Sequence, residues 1–492
     1  MRLRTLSMLM AVLIVAGSAA RVRAQGGAQE QHGTSLSKVV RLNRAPVSKE
    51  ILKVTLPRPV ISKLPNGLTL LVLEQHKLPT VAFGLWIQSG AMTDPKNLPG
   101  LASFTADMLT EGTTHRSSVQ LANDVDSIGA SLNAYAQFGS DTTHIVASGL
   151  AQNTDRLLDL LSDALLNPTF PQDELDKYKK RQLADLEQER SEPGFLAQER
   201  FREALYGSFP ASVTTATADS VNRVTPTDLK GFHDRYYVPN NAILGVVGDV
   251  QPDTIKELVI KYLGDWKNGP VEKESLAELP PAAPFKIMLV NRPGSVQTNI
   301  IAGDYGARRV DADFVPLTVM NRVLGGGPQA RLFLNLREVH GYTYGAYSRV
   351  GDDRYRDAWL ANTEVRTPVT DGSMHELMNE FNRIRTEKVP DSELDEARHA
   401  IVAGFALSLE QPQTLLRYWM LVQSYGLPQD YWDRYPVEVA QTSQDAVQAA
   451  ALKYVDLAHL QVVCVGDRKQ IEDVLKKYGP LEVYDADGKR LE

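Results

Sequence analysis

"LPNGLTLLVLEQHKLPTVAFGLWIQSGAMTDP", Leu64 to Pro95, holds two apolar, β-branched runs, "LTLLVLE" and "TVAFGLWIQ", joined by a short polar loop. Asn66-Gly67 is a turn dipeptide, because both residues tolerate the left-handed backbone that tight hairpins use. Runs of this length with short connections predict antiparallel strand pairs rather than strict strand–helix–strand alternation. Long amphipathic stretches follow, among them "DELDKYKKRQLADLEQERSE", and read as helices. The fold class expected is therefore α+β.

The same stretch has an echo later in the chain. Gly90-Ala91 in "LWIQSGAMTD" matches Gly306-Ala307 in "IAGDYGARRVD", and Gly248-Asp249 in "NNAILGVVGDV" matches Gly466-Asp467 in "LQVVCVGDR" at nearly the same offset. Two anchors at one spacing imply a duplicated domain. Between the copies, "NGPVEKESLAELPPAAP" replaces periodicity with Pro and charge, which marks a linker over 268–284. The expected plan is a first domain over 51–267 and a second over 285–492, each an antiparallel-rich sheet with packed helices.

Arg2 and Arg4, the apolar run "LSMLMAVLIVA" and the small residues "GSAARVRAQ" form a secretory signal over residues 1–24, with cleavage expected after Ala24. The run is far shorter than the roughly 20 residues a membrane span needs, so a soluble periplasmic or secreted protein is expected. Residues 25–50 are polar and aperiodic and read as an extended lead-in. Cys464 is the single cysteine, which excludes an intrachain disulfide, and its apolar strand-like setting reads as burial. A net charge of −7 without any basic cluster argues against nucleic acid as a partner.

"PGLASFTADMLTEGT", Pro99 to Thr113, has the outline of a metal-bearing helix without its ligands. H-x-x-E-H would need His at 103 and 107 and Glu at 106, but the chain has Ser103, Ala106 and Asp107. Two His one helical turn apart share a face and can bind one zinc ion, with the Glu beside them to activate bound water. Ser103 is a poor ligand, Asp107 supplies at most one oxygen, and Ala106 accepts no proton. "HELMNE", His375 to Glu380, approaches H-E-x-x-H but has Asn379 in place of the second His, and reads as ordinary helix. "GGGPQARL", Gly325 to Leu332, lacks the G-K-[ST] ending of a phosphate loop and reads as a flexible loop.

Together with "YYVPNNAILGVVGDV" and "ARLFLNLREVHGYTYGAYS", these motifs resemble the insulinase (pitrilysin-like) family of inverted zinc peptidases, specifically its two-domain, processing-peptidase-like members. The resemblance covers nearly the whole mature chain. It implies half of a clamshell chamber, with several members working as pairs of unlike subunits. The family's third zinc ligand, a Glu, would fall near "LADLEQE", where the carboxylates are Asp185, Glu187 and Glu189; without the two His these read as a solvated helix face. Arg337 and Tyr344 match the Arg and Tyr that the family's second half presents to peptide, the Arg donating to a substrate carbonyl and the Tyr hydroxyl to an oxyanion. Gly341 is expected to end the helix carrying Arg337 and start the strand carrying Tyr344. Asn133 and Ala134 match the dipeptide of the family's substrate-pairing edge strand.

The resemblance thus implies a subunit that binds no metal or cofactor itself and contributes Arg337 and Tyr344 to a homologous partner carrying H-x-x-E-H and zinc. Peptides or unfolded polypeptides would be the substrate. The alternative is a catalytically inactive scaffold or peptide-binding protein.

Overall fold

The computed structural model describes residues 53–271 and 278–491. The expected signal and the lead-in over 25–50 lie outside the described residues, as does the middle of the 268–284 linker.

The first sheet comprises β1 (Val60–Lys63), β2 (Thr69–Glu74), β3 (Thr80–Ile87), β4 (Ser131–Tyr135), β5 (Thr143–Leu150) and β6 (Ala242–Gly248), in the order β1-β2-β6-β3-β5-β4. The second comprises β7 (Lys286–Asn291), β8 (Gln297–Tyr305), β9 (Thr343–Val350), β10 (Ala358–Arg366), β11 (Gln461–Gly466) and β12 (Leu481–Tyr484), in the order β12-β7-β11-β8-β10-β9. Five strands superpose in order: β2-β6-β3-β5-β4 repeats as β7-β11-β8-β10-β9. In both, the first strand is parallel to the strand inserted beside it, and that strand is antiparallel to the next. The copies differ in the sixth strand. β1 adds antiparallel to β2, whereas β12 adds parallel to β7.

Asn66-Gly67 makes the expected hairpin, pairing Lys63 with Thr69, and Gly67 takes φ 94. A side chain there would also press a Cβ to 2.8 Å from that of Asn240. The hairpin, however, joins β1 to β2, while the two apolar runs of Leu64–Pro95 are not paired with each other. The all-apolar "AILGVVG" of β6 lies between them. A strand buried on both faces has no alternation, so the local pattern carries no information about which strand it separates.

One face of each sheet is covered by helices from its own copy. Leu101–Asp107, Thr154–Leu166 and Pro252–Leu263 bury Phe104, Leu157, Leu161 and Val259 in the core beneath the sheet, the first two against β5 and the third against β2. Phe314–Leu324, Thr370–Thr386 and Gln444–Tyr454 do the same in the second copy. The other face of each sheet is covered by a helix from the opposite copy. Pro193–Tyr206 lays Leu196, Phe201 and Leu205 on Met288, Val290, Ile301 and Val463. Reciprocally, Pro412–Tyr425 lays Leu415, Leu416, Trp419 and Met420 on Leu71, Leu73, Trp86 and Ile243. Cys464, in β11, is fully buried, and burial pushes its thiol up to about 12. No helix among the described residues is long and apolar enough to cross a membrane.

Candidate functional site

The helix Leu101–Asp107 starts at Gly100, which has φ 97, and is held by Asp94. The Asp94 carboxylate accepts from the backbone N–H groups of Gly100 at 2.7 Å and Ala102 at 2.8 Å. This is an anion at a helix N-terminus, where the dipole favours it. Burial outweighs these bonds and pushes the carboxyl up to about 7.

From this helix Ser103 and Asp107 project half-buried, and Ala106 is fully buried between them. The hydroxyl of Tyr178, on the helix Gln172–Ser191, donates to Asp107 Oδ2 at 2.6 Å. Burial raises both groups above their ordinary values; Arg181 and the Tyr178 bond work the other way on Asp107. Tyr178 also packs edge-on against Phe104, with ring centroids 5.7 Å apart. Zinc needs at least three nitrogen, oxygen or sulfur ligands and, for catalysis, an open position. The group offers one carboxylate already engaged by a phenol, one hydroxyl and a methyl, so its residues do not fit zinc. Asp185, Glu187 and Glu189 are all exposed, and the residue that reaches the motif helix from theirs is Tyr178. Among the described residues no group of three or more His, Cys, Asp or Glu side chains is placed to hold a metal ion. Sequence reading missed Tyr178; its only signal was an aromatic two turns before Asp185 in an otherwise charged helix.

Asn133, exposed, and Ala134, half-buried, sit on β4, the last strand of its sheet, opposite Val146 and Ile145. Among the described residues nothing pairs with the outer backbone edge of β4. Its twin edge, β9, is occupied at Ser348. Ser348 N–H donates to the Gly325 carbonyl at 2.9 Å, and Asn321 Nδ2 donates to the Ser348 carbonyl at 3.2 Å. The "GGGPQARL" stretch is therefore an edge cover rather than a free loop. Gly325 is required there, because a Cβ would lie 2.5 Å from Ser348 N.

Arg337 lies on a single π-helical turn, Leu334–Val339, whose inner residue Leu336 is fully buried. Such turns are rare and mark places where a helix is bent to present a side chain. Asn335 braces the turn from behind by donating to Glu376 at 2.9 Å and Glu380 at 2.8 Å, which gives the "HELMNE" helix a structural role. Gly341, with φ 62, ends the turn as expected, its N–H on the Arg337 carbonyl at 3.0 Å. The Arg337 guanidinium stacks over Phe333 at 4.8 Å, and its side chain is 46% exposed.

Tyr344 is 89% exposed. The register passes from Thr343 opposite Val365 to Ala346 opposite Thr363, so Tyr344 and Gly345 together face Glu364 in a β-bulge. The Thr343 hydroxyl pins it, donating to the Glu364 carbonyl at 2.6 Å and accepting from Gly345 N–H at 3.0 Å. Bulges re-aim a side chain out of the pleat. Tyr347 packs on Phe333, ring centroids 5.6 Å apart, so the platform under Arg337 is continuous with the strand carrying Tyr344. Arg337 and Tyr344 thus belong to one patch, and Ser103, Ala106, Asp107 and Tyr178 to another. Among the described residues no hydrogen bond, ion pair or ring contact joins the two.

The profile described as "Insulinase (Peptidase family M16)" matches residues 70–218, and that described as "Peptidase M16 inactive domain" matches residues 223–401. The chain belongs to the M16 insulinase family. The second match begins ahead of β6, which completes the first sheet, so the profile boundary and the sheet boundary differ. An uncharacterized zinc protease of Rickettsia felis is 28% identical over 341 residues, 66% of this chain and 81% of the relative. One of Bacillus subtilis is 25% identical over 351 residues, 70% of this chain and 83% of the relative. A crystal structure titled as a peptidase M16 inactive domain from Pseudomonas fluorescens has a TM-score of 0.76 at 26% identity, covering 83% of this chain and 98% of that one. The chain is an M16 peptidase-like scaffold whose motif helix carries no zinc ligand set.

Proposed function

We propose that this M16 chain is the non-zinc subunit of a periplasmic heteromeric peptidase, inactive alone. The observation that carries the reading is a contrast within one chain. The motif helix is closed by the Asp107–Tyr178 bond, while Arg337 and Tyr344 stand exposed on a braced turn and a pinned bulge. A structure kept only for its surface gains nothing from an exposed phenol held at a bulge. An exposed phenol on a fixed backbone is what a donor to a developing oxyanion requires. Arg337, with one weak carboxylate neighbour, Glu338 at 3.6 Å, is free to donate to a peptide carbonyl. The open edge of β4 around Asn133 and Ala134 offers backbone pairing to an extended peptide. The bond-breaking chemistry belongs to a homologous partner with an intact H-x-x-E-H.

The test is reconstitution. The chain mixed with a secreted M16 partner carrying H-x-x-E-H is expected to cleave unstructured peptides that neither subunit cleaves alone. If the mixture is no more active than the partner, the scaffold reading replaces this one.

A further inference from the structure

A cavity of about 570 Å³ opens between the first sheet and the crossing helix Pro412–Tyr425, within the size range of ligand sites. Strand β4 is the one element it shares with the candidate site above. Its floor is aromatic. His144 lies 5.1 Å from the Trp86 ring, edge-on, and 5.1 Å from the Tyr135 ring, stacked. Burial first, and Arg417 second, lower His144 to about 4, so the floor is uncharged at neutral pH. Leu416 and Met420 form an apolar wall.

Among the described residues, two charged side chains lining the cavity form no ion pair. Asp141 and Asp352 are neutralised, by Arg354 at 2.6 Å and Arg309 at 2.6 Å. Asp353 has no ion pair among the described residues. Its neighbours are Asp357, Asp352 and Asp141, which with burial, the larger cause, push its carboxyl up to about 7. A carboxylate so placed lacks a cation. Arg417 is exposed and likewise has no ion pair or hydrogen bond among the described residues. Arg417 and Asp353 line the same cavity.

We infer that this cavity binds a short peptide with free ends, its carboxylate on Arg417, its ammonium on Asp353 and its side chains over the aromatic floor. Charges of opposite sign at the two ends fix direction. The apolar middle imposes little side-chain preference. The inference concerns the chain without any partner and does not depend on Arg337 or Tyr344.

Calorimetric titration of the full chain alone with tri-alanine and tetra-alanine tests it. One peptide per chain is expected to bind, and N-acetylation or C-terminal amidation is expected to weaken binding about 10-fold to 100-fold, the usual worth of a charge-assisted hydrogen bond. Arg417→Gln should bind the free acid and the amide alike while still discriminating against the acetylated peptide; Asp353→Asn should show the converse. Tyr344→Phe should bind as the wild type does. Absence of binding, equal binding of blocked and free peptides, or variants that keep the wild-type discrimination would each overturn the inference. A negative reconstitution assay bears on the proposed function and leaves this result standing.

Discussion

Tyr344 and Tyr178 are phenols in opposite circumstances, and the contrast separates function from packing at the residue scale. Tyr344 is almost fully exposed, so Tyr344→Phe removes a hydroxyl and no buried contact. It should leave the unfolding transition unchanged and lower turnover of the reconstituted pair roughly 100-fold to 1,000-fold, the usual effect of losing an oxyanion donor. Steady-state kinetics, with gel filtration to confirm assembly, checks this. Tyr178 is buried and bonded to Asp107, so Tyr178→Phe strands a half-buried carboxylate and should cost about 1–3 kcal/mol in denaturant unfolding. Asp94 adds a pH signature. Its folded value of about 7 lies above the ordinary carboxylate range, so the folded state binds the proton more tightly. Its contribution to stability is therefore complete below about pH 4 and is lost as pH rises towards 7. Relative to Asp94→Asn, the wild type should lose stability across that window, at most about 1.4 kcal/mol per pH unit, as measured by urea unfolding at several pH values.

At the scale of elements, the two sheet edges have different fates although their strands are duplicates. Among the described residues nothing pairs with the outer edge of β4, whereas Gly325 and Asn321 bond β9 at Ser348. An exposed edge recruits extended chains, so the bonds at Ser348 hinder strand addition along β9 and leave β4 the more open of the two. Gly325→Ala forces a Cβ to 2.5 Å from Ser348 N and should release that edge. A loss of about 1–3 kcal/mol and faster amide exchange at Ser348, measured by hydrogen exchange, are expected. The brace behind Arg337 follows the same logic. A π-helical turn keeps its shape only where the surroundings determine it, and Asn335, Glu376 and Glu380 supply that restraint.

For the whole molecule the crossing helices decide the cooperativity. Pro193–Tyr206 and Pro412–Tyr425 each complete the core of the other copy, so neither copy is closed by its own residues. Trp419 is fully buried against the first sheet, and its indole N–H donates to the Pro57 carbonyl at 2.8 Å. Trp419→Ala should cost about 3–5 kcal/mol and lower both copies together in one calorimetric transition. Two separated transitions would show that the copies fold independently.

The sequence by itself determined what is written in local periods and in pairs of anchors. The strands and long helices, the Asn66-Gly67 hairpin, the duplication, the missing zinc ligands at Ser103, Ala106 and Asp107, and the Arg337–Gly341–Tyr344 turn were all legible, because each depends on residues within a few turns of chain or on a repeated motif. Only the tertiary structure decided that β6 enters between β2 and β3, that the crossing helices exchange copies, and that β9 is bonded at Ser348 while β4 is the more open edge. It also decided that Tyr178, rather than Asp185, Glu187 or Glu189, meets the motif helix. These outcomes depend on contacts between residues far apart in the chain, and such partners are chosen by which buried faces and unpaired backbone groups remain once the local elements exist. A charged helix does not announce which of its faces turns inward; the packing of Phe104 and Tyr178 settles it.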